Sequence, residues 1–253
     1  MIKLSDEAIT RKRAKVYAKR MDGRFRRVRT SVSLLLQGLL FLLPWATWEG
    51  RQAVLIDIPG RKLYLPGMVL FPQETFFLLI LLISGGLTLF ASTAIAGRMW
   101  CGYACPQTLF TQTFMMVERW IEGDRARRMR LDKGPWTAEK VLRRTLKLAA
   151  WTGMGVWLGI TFAGYFTPIR ELVPGILRAQ PTTWALVGFF TAISLFDFGW
   201  FREQFCHYLC PYARFQGAMF DQDSLIVGYD EKRGEPRGKS AGGECVDCNL
   251  CVQ

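Results

Sequence analysis

Histidine is nearly absent from these 253 residues: there is one, His207, so a polyhistidine metal centre cannot be built. Acidic residues are in deficit, 21 against 33 Lys and Arg, which leaves a net charge of +12. Cysteine is sparse, seven residues gathered in three clusters. The first apolar run follows a basic lead of 30 residues and ends in Pro44-Trp45-Ala46-Thr47-Trp48. With no small-residue cleavage site there, a removable secretory signal is not expected and the first apolar segment should stay attached. Charge itself is missing from four long stretches, where only Asp197 interrupts the apolar and small polar residues. That last absence decides the class.

The chain is 50% apolar and 13% aromatic, which conflicts with so high a charge in a soluble globule unless the two are segregated along the chain. They are segregated. Apolar runs near the roughly 20 residues needed to cross a bilayer alternate with basic stretches. The expected fold is therefore mainly α, a polytopic helical membrane protein with about four transmembrane helices, near residues 31–48, 75–97, 148–167 and 182–200. The first has only 18 residues and carries Pro44, which tilts or kinks a helix near its end. The lipid bilayer is the first expected partner, and nucleic acid is not expected. Of the 33 basic residues, 28 fall before the first span, in the 98–147 loop or after Trp200, against 5 on the other side. The positive-inside rule then places both termini and the loop in the cytoplasm.

The sequence divides into a basic arm (1–30), a four-helix membrane domain (31–200) with its cytoplasmic loop (98–147), a cytoplasmic segment and linker (201–243), and the start of a further domain (244–253). The linker reading rests on Gly234-Glu235-Pro236-Arg237-Gly238-Lys239-Ser240-Ala241-Gly242-Gly243. The arm is a topology signal with a potential attraction to anionic headgroups. Between the first two spans, apolar and polar residues alternate around Pro59-Gly60, which predicts a short hairpin on the outer face.

The cysteines carry the chemistry. Cys101-Gly102-Tyr103-Ala104-Cys105-Pro106 and Cys206-His207-Tyr208-Leu209-Cys210-Pro211 are two copies of Cys-x3-Cys-Pro, each just after an apolar segment. Trp100 and Phe205 precede them, and Phe110 and Phe215 follow at one offset, so the copies read as an internal repeat. In a reducing compartment structural disulfides are disfavoured and metal or redox work is favoured. Cysteines four apart on a helical turn form a two-thiolate clip, and two facing clips would supply four sulfurs. Four thiolates suit an iron–sulfur cluster; two or three suit Cu(I); a pair of buried thiols marking a helix end is the bland alternative. Pro106 and Pro211 bias Cys105 and Cys210 toward extended geometry. His207 could ligate a metal, although Gly102 stands at its place in the first copy. Asp197, three residues from a span end, is a functional candidate by default and interfacial by position. Gly85-Gly86, and Gly153 with Gly155, permit close helix contact.

The third cluster, Cys245-Val246-Asp247-Cys248-Asn249-Leu250-Cys251, has the Cys-x2-Cys-x2-Cys spacing of the first three ligands of a bacterial [4Fe-4S] ferredoxin motif. A zinc knuckle usually spaces its pairs farther apart. The fourth ligand would fall beyond Gln253, so the expectation is the start of a ferredoxin-like [4Fe-4S] domain in a longer protein.

With Asp57-Ile58-Pro59-Gly60-Arg61-Lys62-Leu63-Tyr64-Leu65-Pro66-Gly67, Phe71-Pro72-Gln73-Glu74 before the second span, the first Cys-x3-Cys-Pro copy and the ferredoxin start, the chain resembles the CcoG/FixG/RdxA family. The outer segment separates it from NapH and NosR polyferredoxins, which share Cys-x3-Cys-Pro. The resemblance implies a multi-pass protein of the bacterial inner membrane, acting in assembly of a cbb3-type cytochrome c oxidase with that oxidase's assembly factors or subunits as partners and an unidentified electron donor. It also implies two [4Fe-4S] clusters in the full-length protein, a further span and an immunoglobulin-like domain, and oxidoreductase activity that reduces Cu(II) to Cu(I), copper being substrate or cargo. Cys245, Cys248 and Cys251 would then hold a cluster, and Cys101, Cys105, Cys206 and Cys210, with His207, would be the copper or cluster candidates. Quinol-linked electron transfer of the NapH type and a non-redox copper-binding scaffold are the rival readings.

Overall fold

A computed structural model describes residues 23–97, 99–202 and 204–218. Most of the basic arm, the linker and Cys245, Cys248 and Cys251 lie outside the described residues. Within them four helical stretches are long and apolar enough to cross a membrane: those of α1 (Arg24–Leu42), α2 (Thr75–Ala96), α6 (Ala138–Phe166) and α8 (Pro181–Ser194), the fourth running on to Phe201. The last continues as a π-helical segment, Leu195–Phe201. On the side where the cysteines lie, α3 (Met99–Tyr103), α4 (Pro106–Glu122) and α5 (Arg125–Lys133) connect α2 to α6. A second π-helical turn, Phe205–Leu209, leads into α9 (Pro211–Ala218). On the opposite side, α7 (Ile169–Leu177) joins α6 to α8.

Helix α1 begins seven residues before the apolar run at Ser31, because arginine propagates a helix well and its long stem can reach water from a helix end. Pro44 is buried in a 3-10 turn, Leu43–Trp45, that closes the helix. The segment beyond it is a β structure: β1 (Thr47–Trp48) pairs with β2 (Arg51–Gln52), and β3 (Leu55–Asp57), β4 (Lys62–Leu65) and β5 (Met68–Leu70) form an antiparallel meander. The expected hairpin is β3–β4, with Ile56 opposite Leu63. Its turn is held by Gly60 N donating to Asp57 Oδ1 at 2.9 Å and Arg61 N to the Ile58 carbonyl at 3.2 Å. Gln52 ties this outer layer to the bundle, donating to the Gly164 carbonyl at 2.6 Å while accepting from Ile169 N at 3.1 Å.

The core forms where a connecting helix enters the bundle. Phe110, Phe114, Glu118 and Glu122 lie at successive four-residue steps on α4, so they make one stripe, and all four are buried. Phe110 and Phe114 pack against Leu158 of α6 and Phe198 of the π-helical segment, with Leu40 and Phe41 of α1 around them. A second cluster, Ala163, Ile169, Leu172 and Val187, joins α6, α7 and α8. In contrast, α2 is apolar on every face and its large side chains are exposed along most of its length, as suits a helix surrounded by lipid.

Candidate thiol site between two repeated turns

The sequence repeat is also a backbone repeat. Helix α2 ends at Gly97, whose φ of 61° and ψ of −124° lie where a Cβ is strongly disfavoured. Four residues before Cys206, at the matching place, Arg202 has φ 47° and ψ −122°. After each break comes a widened turn: Cys105 N donates to the Trp100 carbonyl at 3.0 Å, and Cys210 N to the Phe205 carbonyl at 2.9 Å, both five residues back. Cys105 (φ −65°, ψ 123°) and Cys210 (φ −75°, ψ 109°) are extended, as the following prolines require. Pro106 and Pro211 then open α4 and α9, where a missing N–H costs nothing.

Each unit grips the other. Gln107, two residues after Cys105, donates to Asp197 Oδ1 at 2.9 Å and to the Arg202 carbonyl at 3.0 Å, at the end of the fourth span. Tyr212, two residues after Cys210, shares a hydrogen bond with Thr93 near the end of α2. Phe90 of α2 also meets the rings of Tyr212 and Phe215, with centroids 6.4 and 6.2 Å apart. The exchange reaches a thiol: Cys101 Sγ lies 4.0 Å from Gln216 Oε1 on α9. Asp197, a lone intramembrane acid in the sequence reading, thus has a specific donor from the first motif.

None of Cys101, Cys105, Cys206 and Cys210 is joined in a disulfide, and all are partly exposed. Among the described residues no group of three or more His, Cys, Asp or Glu side chains is arranged to hold a metal ion. The two turns are therefore neighbours without forming a four-sulfur cage, and the donor set in this arrangement does not fit a [4Fe-4S] cubane. His207 is exposed on the second turn. Cys245, Cys248 and Cys251 lie outside the described residues.

Reading the sequence did not reveal the charged network beside these turns. Glu118 and Glu122 are each only 2% exposed. Glu118 accepts from Arg128 at 2.8 Å and from Arg202 at 2.9 Å, and lies 3.6 Å from Lys147. Glu122 pairs with Lys147 at 2.5 Å. Burial pushes the Glu118 carboxyl up, but Arg202, Arg128 and Lys147 together outweigh it and hold it below the ordinary glutamate range. Cations of Lys147 and Arg202 also stand over the Trp151 ring, 5.2 and 5.0 Å from its centroid. The available signal was the 110-114-118-122 spacing, which puts two acids on the same face as two phenylalanines.

Two family models match the chain. One described as a 4Fe-4S binding domain covers residues 76–125, and one described as a 4Fe-4S dicluster domain covers residues 201–241, so each spans one Cys-x3-Cys-Pro turn. Among curated proteins, the chain is 44% identical to nitrogen fixation protein FixG of Rhizobium meliloti, over 95% of this chain and 49% of that one. It is 41% identical to protein RdxA of Cereibacter sphaeroides, over 95% and 53% respectively. A methylamine utilization ferredoxin-type protein, MauN of Paracoccus denitrificans, is 25% identical over 62% of this chain and 47% of its own length. The chain thus spans about half the length of the curated relatives it matches. No solved structure matches.

Proposed function

This chain belongs to the FixG/RdxA family, and from that premise we propose that it is the membrane part of an iron–sulfur electron-transfer protein that reduces Cu(II) to Cu(I) for the haem-copper site of a cbb3-type oxidase. The supporting observation is the reciprocal grip of the two cysteine turns, Gln107 on the Asp197 side and Tyr212 on the Thr93 side. It holds two pairs of thiols, none of them in a disulfide, at the same ends of the second and fourth spans. Cu(I) is satisfied by two or three soft sulfurs, so a copper substrate needs no four-sulfur cage.

The reaction is a one-electron step: Cu(II) bound by thiolates takes one electron from a cytoplasmic one-electron donor and leaves as Cu(I). Bound [4Fe-4S] clusters supply one-electron chemistry of this kind. The chain's own part is to present sulfur at the membrane surface, to keep the two turns in register through Gln107 and Tyr212, and to brace the second turn through Arg202 and Glu118. Basic residues make this face the cytoplasmic one by the positive-inside rule.

The test is a full-length protein carrying Cys101→Ser and Cys105→Ser together, with cluster content followed by optical and paramagnetic resonance spectra. Cu(II) reduction should be lost while [4Fe-4S] content is retained. Reduction at the wild-type rate in that variant overturns the proposal. Quinol oxidation by the same preparation would support the NapH-type reading, and Cu(I) binding without reduction the scaffold.

A further inference from the structure

Two buried polar atoms without a hydrogen-bond partner stand at one register of the repeat. Thr111 is ten residues after Cys101 and Gln216 ten after Cys206; Thr111 Oγ1 and Gln216 Nε2 are both unpartnered. A buried donor left unpaired costs on the order of 1–3 kcal/mol, so such a group calls for an explanation. Gln216 is 3% exposed. Its other amide atom, Oε1, is the one that faces Cys101 Sγ of the opposite motif.

We propose that Gln216 is a positioning residue for copper bound at Cys101, donating an N–H···S hydrogen bond from Nε2 to the copper-bound thiolate. The inference rests on the copper reading above and says which residue of the other repeat completes the site. In the metal-free protein the thiol is the donor and the amide oxygen accepts. When copper replaces the thiol proton, which leaves to solvent, the sulfur becomes an acceptor only, and an amide oxygen pointed at it is repulsive. A half-turn about the last side-chain bond exchanges Oε1 for Nε2. The turn breaks no existing bond at Nε2, because that atom has no partner. Glutamine can serve both states, because its amide carries an acceptor and a donor on one planar group. Hydrogen bonds to a metal-bound sulfur draw charge from it and favour the reduced metal, and Cu(I) is the reduced state here.

The experiment measures Cu(I) affinity of the full-length protein at one fixed pH, by competition with a chromophoric Cu(I) chelator, for wild type, Gln216→Leu, Gln216→Glu and Cys101→Ser. Gln216→Leu should bind Cu(I) about tenfold more weakly, the worth of one hydrogen bond to a charged group. Gln216→Glu, nearly isosteric but with no donor when ionised, should be weaker still. A residue needed only for packing would tolerate leucine in this buried place, so wild-type affinity in Gln216→Leu overturns the inference while Cys101→Ser still loses copper. If Cys101→Ser itself binds Cu(I) as wild type does, the copper reading of the first turn fails, and this inference with it.

Discussion

Arg202 holds a conformation that the first repeat assigns to glycine. At Gly97 the reversal after the helix is free of steric cost, whereas at Arg202 a Cβ stands in the same place, a strain on the order of 1–3 kcal/mol. The side chain offsets it: Arg202 Nη2 donates to buried Glu118 at 2.9 Å, Nε to the Gly199 carbonyl at 2.9 Å, and the guanidinium covers Trp151. Two opposing terms can be separated by mutation. Arg202→Ala keeps the strain and loses the ion pair; because Glu118 retains Arg128 and Lys147, the loss should sit near the low end of the range for a broken buried pair, about 3 kcal/mol. Arg202→Gly loses the same pair but relieves the backbone, and should be about 1 kcal/mol less damaging than Arg202→Ala. Thermal unfolding of both variants in detergent checks the order; alanine equal to or better than glycine removes the strain argument. The register that pairs Trp100 with Phe205 and Gly102 with His207 also sets Gly97 against Arg202, but those two residue types share no side-chain property, so their equivalence is visible only in the backbone conformation.

Among the elements, the crossing of α6 and α8 is the closest helix contact argued from glycine. A Cβ on Gly159 would lie 2.8 Å from the Val187 carbonyl oxygen and 3.1 Å from Thr191 N, backbone atoms that cannot move aside. Gly155, one turn earlier, faces Leu195. Gly153, singled out in the sequence beside Gly155, has open space, and so do Gly85 and Gly86 on α2. Small residues permit an approach, but only the partner's position determines which of them is used. Gly159→Val should therefore separate the third and fourth spans and destabilise by about 1–3 kcal/mol, while Gly153→Val stays within about 0.5 kcal/mol of wild type. Unfolding in bicelles compares them, and equal effects would show that the crossing is not held at Gly159. The apolar run 148–167 is the later part of a helix that starts at Ala138, where Thr137 caps it by accepting from Lys140 N at 3.4 Å, eleven residues ahead of that run.

For the molecule as a whole, the uneven distribution of basic residues makes the orientation testable, and buried charge braces one face. Arg61 lies in the β meander and Lys133 at the end of α5, on opposite sides of the bundle. If the 28-to-5 distribution of basic residues directs insertion, a cysteine placed by Arg61→Cys will react with a membrane-impermeant maleimide on intact sphaeroplasts. One placed by Lys133→Cys will react only after permeabilisation. The reverse pattern would put the thiol turns on the outer face and overturn a cytoplasmic electron supply.

Four spans, their alternation and the duplicated turns were legible in the sequence because each rests on a local quantity: the length of an uncharged run, the sign of its flanks, the spacing of cysteines before a proline. The placement of α4 was not. Its amphipathic stripe predicts a buried face but names no neighbour, and only packing put Phe110 and Phe114 against Leu158 and Phe198 inside the bundle. The contacts across the repeat, Gln107 to Asp197 and Gln216 to Cys101, join residues 90 and 115 positions apart. Such contacts depend on how helices pack and not on the residues between them. The sequence by itself therefore determined that the thiols stand at matching helix ends, and the tertiary structure alone decided that each turn is completed by a side chain from the other.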